Sequence, residues 1–160
     1  MSDSFTEEIK ILNKTLRSEA FRFIIIQYNL STQITVIKSK INEAFPDRQI
    51  LTIKTANISY RELMDKIYHF NKGIIFIDDF ENILKDKELY AGLNQRRDKI
   101  ASLPLALVCF LPTGKNIMKL CVNNIPDLWS FRSLYIDIKT TVKTKISIEK
   151  NVTIIKNKPE

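Results

Sequence analysis

The chain has 160 residues, a net charge of +7, three glycines, one histidine and two cysteines. A phosphate-binding Walker A loop needs glycines in the pattern G-x-x-x-x-G-K-[ST], and dinucleotide-binding domains need G-x-G-x-x-G. Gly73, Gly92 and Gly114 are too far apart for either motif. One histidine and two distant cysteines do not suffice for a His/Cys zinc site. We therefore expect no conventional nucleotide loop, no metal centre and no cofactor.

The two ends of the chain differ in character. The N-terminal segment MSDSFTEEIK is polar and acidic, unlike a secretory signal, and no apolar run approaches the ~20 residues of a membrane span. Cys109 and Cys121 are expected to be buried free thiols, which predicts a cytoplasmic protein with no membrane partner. At the other end, residues 139–160 contain six lysines against two glutamates, which gives +4 of the total charge.

Apolar runs of strand length alternate along the chain with amphipathic stretches of helical period. The predicted elements, in chain order, are helix 4–17, strand 21–26, helix 34–45, strand 49–54, a helix from Ser59 to a left-handed cap at Gly73, strand 74–77, helix 87–102, strand 105–111, helix 115–124 and strand 134–138. Such alternation is typical of a parallel sheet with right-handed crossovers. We predict a three-layer α/β domain over residues 1–138, with a mainly parallel five-stranded sheet and helices on both faces.

Residues 142–149 alternate apolar with polar side chains, which is the period of a β-strand. We predict a separate basic tail over 139–160, either as a β-hairpin with 152–155 or as a single strand. A strand of this kind can add to the sheet of another protein. The residues expected to contact such a partner are Lys143, Lys145, Ile146 and Ile148.

The predicted strand 74–77 is followed directly by Asp78 and Asp79. In nucleotide hydrolases such a strand ends in an acid that holds Mg²⁺, but acids in this place also cap the following turn. Residues 27–32, after the first predicted strand, contain no glycine and no lysine, so we predict no conventional hydrolysis. Two alternatives stay open: a module in which Asp78, Asp79 and Arg97 bind nucleotide without hydrolysing it, and a basic accessory protein that binds nucleic acid.

Two short motifs stand out in the second half of the chain. They are Leu93-Asn94-x-x-Arg97-Asp98 and Pro126-Asp127-Leu128-Trp129-Ser130-Phe131-Arg132-Ser133. Trp129, the single tryptophan, is placed to anchor the connection to the last predicted strand. Arg132 is placed to pair with Asp127 or Asp98. The pattern favours a structural brace at this connection, with a contact to a partner protein as the alternative.

The strand order, the Tyr28-Asn29 turn without a phosphate loop and these two motifs together resemble the degenerate P-loop-like modules called inactive STAND domains. The resemblance covers about residues 20–138. It implies a P-loop NTPase-like fold without catalytic residues, used as a non-catalytic adaptor or scaffold subunit in a bacterial defence or signalling complex. The implied partners are proteins, such as a repeat-containing protein, a protease or a nuclease.

The predicted site residues form two groups, and none of them is expected to be catalytic. The expected ligand or partner contacts are Asn29, Asp78, Asp79, Asn94, Arg97 and Asp98. The expected structural-motif residues are Pro126, Asp127, Trp129, Ser130 and Arg132.

Overall fold

The computed structural model describes residues 6–114, 116–138 and 144–148. Its helices are α1 Thr6–Leu16, α2 Ser31–Ala44, α3 Tyr60–Phe70, α4 Glu81–Leu84, α5 Lys87–Gln95, α6 Arg97–Ala101, α7 Ile117–Asn124 and α8 Pro126–Trp129. Its strands are β1 Arg22–Tyr28, β2 Ile50–Lys54, β3 Gly73–Asp78, β4 Leu105–Pro112, β5 Arg132–Ile138 and β6 Thr144–Ile148.

The strands of the described residues form one sheet in the order β2-β3-β4-β1-β5-β6. The neighbouring pairs from β2 to β5 are parallel, and β6 runs antiparallel to β5. β1 lies between β4 and β5, so that Ile25 faces Cys109 on one side and Tyr135 on the other. The predicted five-stranded parallel sheet is confirmed, and β6 extends it by one strand.

Helices cover both faces of the sheet. Because successive strand side chains point to opposite faces, Ile24 and Ile26 pack in the cluster that contains α1 and α2, while Phe23 and Ile25 pack in the cluster that contains α3 to α8. All four side chains are fully buried. Strands buried on both faces appear in the sequence as continuous apolar runs, which is why the pattern located the central strands.

The end of α3 differs from the prediction. The left-handed residue that caps the helix is Asn71, with φ of 47°, and Gly73 is the first residue of β3. Gly73 has φ of +126°, and a Cβ there would lie 2.4 Å from the carbonyl oxygen of Gln49. The prediction of Gly73 as the cap was wrong because asparagine also adopts the left-handed conformation, whereas the glycine is needed where two backbones approach closely.

The predicted helix over 87–102 is two helices, α5 and α6, which are separated at Arg96. Arg96 has ψ of 11° and belongs to neither helix. The sequence pattern did not predict α4 and α8, because four residues are too few to show a helical period.

The predicted tail strand forms as β6, and it pairs with β5. The paired positions are Asp137 with Lys145, Ile136 with Ile146 and Leu134 with Ile148. Lys143 and the proposed hairpin strand 152–155 lie outside the described residues. The division into two units after residue 138 stays a prediction.

Two expectations concerned the chemical environment of the chain. Cys109 and Cys121 are free and buried, as predicted. Burial raises the pKa of Cys109 well above its usual value and that of Cys121 to about 12, so both thiols stay protonated at neutral pH. Within the described ranges, no helix has both the length and the apolar composition that crossing a membrane requires.

Candidate functional site

In open α/β sheets, ligands bind beyond the carboxyl ends of the strands, where connections on the two sides of a strand diverge. Here that point lies beside β1, since β4 flanks it on one side and β5 on the other. Tyr28, Asp78 and Pro112 end β1, β3 and β4 at this edge. We call the edge formed by residues 27–33, 78–82 and 112–114 the switch edge.

The turn from β1 to α2 is filled by the side chain of Gln33. Its buried carboxamide oxygen accepts hydrogen bonds from the backbone N–H of Asn29 at 2.8 Å and of Leu30 at 3.1 Å. In phosphate-binding loops, backbone amides before a helix donate to an anion. In this chain a neutral oxygen of the protein itself takes those two donors.

The same turn is fixed on both sides by the neighbouring strands. The Asn29 side-chain amide donates to the carbonyl oxygen of Ile138 at the end of β5, at 3.1 Å. The backbone N–H of Thr113, after β4, donates to the carbonyl oxygen of Tyr28 at 2.7 Å. Asn29, predicted as a ligand or partner contact, therefore connects β1 to β5.

Asp78 forms an ion pair with Lys38 of α2. The Lys38 Nζ lies 2.9 Å from Oδ1 and 3.0 Å from Oδ2 of Asp78, and each side chain is 23% exposed. The ammonium also lies 5.4 Å and 5.6 Å from the ring centres of Phe76 and Phe110, where cation–π attraction holds it in place. In a nucleotide hydrolase, a carboxylate at the end of this strand would hold Mg²⁺. Here the ammonium group of Lys38 is paired with that carboxylate.

Asp79 is exposed and has φ of 51°, a left-handed conformation that aspartate adopts more readily than most residues. The Oγ1 of buried Thr55, just after β2, lies 2.9 Å and 2.8 Å from the carbonyl oxygens of Asp78 and Asp79. The Asn82 amide donates to the same hydroxyl at 3.1 Å. Thr55 therefore fixes the bend that turns Asp79 toward solvent.

Three acidic side chains, Asp78, Asp79 and Glu81, lie close to one another at the switch edge. Burial is the largest cause that raises the pKa of Glu81, and Asp79 adds to it. Burial also raises the pKa of Tyr28, with smaller contributions from Glu81, Asp79 and Asp78. No group of three or more His, Cys, Asp or Glu in the described part of the chain could hold a metal ion.

The two late motifs meet between α5 and α8. The Asn94 Oδ1 accepts hydrogen bonds from the backbone N–H of Asp127 and of Leu128, both at 3.0 Å. The Asn94 amide donates to Asp127 Oδ2 at 3.1 Å, and Arg97 lies 3.5 Å from the same oxygen. An N-cap side chain accepts hydrogen bonds from the first backbone amides of its own helix. Asn94, which lies on α5, accepts these hydrogen bonds from the first turn of α8.

Trp129 and Arg132 form a second layer of this connection. The Arg132 guanidinium lies 4.2 Å from the centre of the Trp129 ring and donates to the Trp129 carbonyl oxygen at 3.0 Å. Trp129 packs edge-on against Tyr135 of β5, with 6.4 Å between ring centres. The Ser130 hydroxyl donates to the Asp127 carbonyl oxygen at 2.6 Å. The carboxylate of Asp127 is shared by Asn94 and Arg97, and the pairing of Arg132 with Asp127 or Asp98 stays a prediction.

The remaining acid of the first motif, Asp98, is exposed, and one of its carboxylate oxygens lies 4.0 Å from Arg97 Nε. The motif residues therefore lie together around α5, α6 and α8, and Asp78, Asp79 and Asn29 lie at the switch edge. The structure does not bring Arg97 into a common site with Asp78, because Arg97 is committed to Asp127.

Sequence reasoning missed the two residues that fill the switch edge. Gln33 had a readable signal, because it stands at the third position of α2, where a Gln side chain reaches back to the first backbone amides. Lys38 had none, since its partner lies 40 positions away.

A cleft of about 430 Å³ lies at the opposite edge, beside the start of β3. Its lining residues are Glu19, Asp47, Arg48, Gln49, Phe70, Asn71, Lys72, Gly73 and Pro104. None of the site residues predicted from the sequence lines it.

No protein-family model matches the chain, and no curated protein matches it. A DNA polymerase III gamma subunit-related protein from Thermotoga maritima is similar, with a TM-score of 0.56 and 11% identity over 83% of this chain and 46% of that chain. Drosophila ORC bound to AT-rich DNA and Cdc6 gives a TM-score of 0.53 and 14% identity, over 86% and 53% of the chains. The complex with GC-rich DNA gives 0.52 and 13%, over 85% and 59%.

The present chain therefore spans roughly half the length of each of these three chains. At these identities the likeness shows the fold and nothing further. The chain has a P-loop NTPase-like α/β fold.

Proposed function

We propose that this chain is a non-catalytic module on a P-loop NTPase-like fold, and that it works as an adaptor or scaffold subunit through protein–protein contacts. One observation carries the proposal: the protein's own Gln33 and Lys38 occupy the amides and the carboxylate that a nucleotide and its metal would use. Hydrolysis needs the phosphate cradle, the metal and the acid together. Because side chains of the chain itself contact the amides and the carboxylate, the fold is better suited to binding other proteins through its surface than to hydrolysis.

The biological setting is proposed from the sequence resemblance. The motif that contains Asn94 and Arg97 and the motif that contains Trp129 resemble inactive STAND domains of bacterial defence proteins. A repeat-containing protein, a protease or a nuclease is the partner that this resemblance favours. Residues 139–160 are the proposed partner-binding tail, because they combine a concentrated positive charge with a strand pattern.

Titration with nucleotides tests the non-catalytic part. We expect no increase in Tm with ATP, ADP or GTP at about 1 mM with Mg²⁺, because a ligand with a Kd well below that concentration would stabilise the fold measurably. A P-loop ATPase measured in parallel serves as the positive control. Saturable stabilisation by one of the three nucleotides would overturn this part in favour of a nucleotide-sensing module.

Copurification with the products of neighbouring genes tests the adaptor part. We expect one such product to form a complex of fixed stoichiometry with the full chain, as measured by light scattering. Reversing two tail charges with Lys143→Glu and Lys145→Glu should weaken the complex, whereas Lys10→Glu with Lys14→Glu on α1 should not. Equal affinity of both double variants would remove the tail from the proposal.

A further inference from the structure

A group of aromatic and positively charged side chains lies outside the switch edge, where α3 packs against the junction of α5 and α6. We call Tyr60, Tyr68, Arg96 and Lys99 the tyrosine–cation surface. Arg96 and Lys99 are exposed, and the two tyrosines are partly buried beside them. None of these residues takes part in the contacts that fill the switch edge.

The guanidinium of Arg96 is held in place by a neighbouring helix. A Cβ at Gly92 would lie 2.2 Å from Cε1 of Tyr60, so the Tyr60 ring occupies the space that a side chain would take. The Tyr60 hydroxyl accepts a hydrogen bond from Arg96 Nε at 3.1 Å. Among the described residues, no hydrogen-bond partner contacts the two terminal nitrogens of the guanidinium, which form the fork that binds carboxylates.

Lys99 of α6 is held in a similar way by a second tyrosine of α3, Tyr68. Its Nζ lies 4.8 Å from the centre of the Tyr68 ring, a distance at which the ring attracts the ammonium. Tyr60 and Tyr68 are eight positions apart on one helix, or roughly 12 Å along its axis. The two tyrosines therefore fix two cations at separate points of one surface.

Neither cation has a carboxylate partner among the described residues, whereas Lys38, Lys40 and Arg97 all do. Cations that are preorganised and exposed, yet lack a counter-ion, bind an external anion at a lower entropic cost than mobile side chains do. The surface is thus built to receive negative charge from another molecule.

We propose that the tyrosine–cation surface binds a short acidic segment of a partner protein, with carboxylates on Arg96 and Lys99; this rests on the proposed function as an adaptor. Nucleic acid fits less well, because the same helices expose Glu62, Asp65 and Asp98. A polyphosphate backbone needs a continuous track of positive charge, and these acids interrupt it. A peptide can place its carboxylates at two points and leave the acids uncontacted.

Fluorescence anisotropy with the full chain and a labelled dodecapeptide of alternating glutamate and serine tests the proposal. We expect salt-sensitive binding that falls about tenfold in the Arg96→Gln, Lys99→Gln double variant, since two charge-assisted contacts are lost. The matched control, Lys10→Gln with Lys14→Gln, removes the same charge from α1 on the other face and should change affinity by less than about twofold. Equal losses in the two double variants, or no binding at low salt, would overturn the proposal.

Tyr60→Phe isolates the preorganisation. It keeps the ring on Gly92 but removes the hydroxyl that holds Arg96, so we expect about two- to threefold weaker peptide binding at an unchanged Tm. Unchanged affinity would remove the hydroxyl from the proposed site. A dT20 oligonucleotide that binds more tightly than the peptide, and depends on Arg96 and Lys99, would overturn the acidic segment as occupant. Failure of the peptide titrations would not bear on the nucleotide titrations, which separately test the non-catalytic part of the proposed function.

Discussion

The switch edge and the tyrosine–cation surface use the same interaction in opposite ways. At the switch edge, Lys38 lies over two phenylalanine rings and is neutralised by Asp78. On the tyrosine–cation surface, Lys99 lies over a tyrosine ring without a carboxylate partner in the described ranges. An aromatic ring positions a cation in both regions, but only the first supplies the counter-ion. The switch edge is thus a closed region, whose cation is paired within the chain, and the tyrosine–cation surface is an open region, whose cation has no such partner among the described residues.

The largest expected effect comes from breaking the closed region with Lys38→Met. The variant leaves the partly buried carboxylate of Asp78 without its cation, so we expect a loss of about 2 kcal/mol in the free energy of unfolding. Urea denaturation measures it, with Lys40→Met on the same helix as the matched control, which should stay within about 0.5 kcal/mol. The double variant Lys38→Met, Asp78→Asn should regain part of the loss. A double variant that is less stable than the single one would contradict an ion pair here.

Gly92→Ala disturbs the open region by changing the residue on which the Tyr60 ring packs. The added Cβ would displace the Tyr60 ring, and we expect a loss of about 1.5 kcal/mol from overpacking together with weaker peptide binding. Thermal unfolding and peptide anisotropy on the same sample measure both quantities. Gly114→Ala is the control, because the added Cβ would lie 3.3 Å from its nearest neighbour, a side-chain carbon of Ile117. Full peptide affinity in a destabilised Gly92→Ala variant would show that Tyr60 does not position Arg96.

Asn94→Ala tests the brace beside the open region. It removes the acceptor for two amides at the start of α8, so we expect a loss of about 1 kcal/mol, the usual cost of a lost helix cap. Chemical denaturation measures the loss, and the double variant Asn94→Asp, Asp127→Asn should retain more stability, because it keeps an acceptor oxygen at position 94 and avoids a contact between two carboxylates. Equal losses in the two variants would contradict the capping role.

The smallest effect is a gain at the closed region from Glu81→Gln. Burial raises the pKa of Glu81 in the folded state above its unfolded value, so the charged form is disfavoured in the folded state. The contribution of Glu81 to stability therefore rises as the pH falls through the folded pKa, and at neutral pH its charge is a cost. We expect Glu81→Gln to be more stable than the natural chain at pH 7, with the advantage gone below about pH 4. A constant difference across that range would exclude titration of Glu81 as its source.

The sequence predicts the framework of this molecule better than its sites. Buried parallel strands are written as apolar runs such as 74–77, which need no knowledge of their neighbours. The contacts that decide the chemistry join distant positions: Lys38 with Asp78, Asn94 with Asp127, and Tyr60 with Arg96. From the sequence, a lysine could pair with any of many acidic residues. Its actual partner is known only from the folded structure.

Two errors at element ends arose because residue type alone does not mark the end of a helix. Asn71 and Gly73 both tolerate positive φ, so the cap could not be assigned to one of them from residue type. The break at Arg96 falls at a residue that is neither proline nor glycine, so the sequence pattern continues through it.

The capping of α8 by Asn94 has a consequence for how the chain folds. A helix of four residues is too short to form by itself, because nucleation costs more than so few hydrogen bonds return. The residue that completes it comes from 33 positions earlier, so α8 can form only after α5 has docked. A peptide of residues 117–131 should therefore show no helix at its C-terminal end by NMR. In the full chain, the amides of Asp127 and Leu128 should gain protection from hydrogen exchange after those of β1 and β4, which makes the connection into β5 one of the last parts to become native.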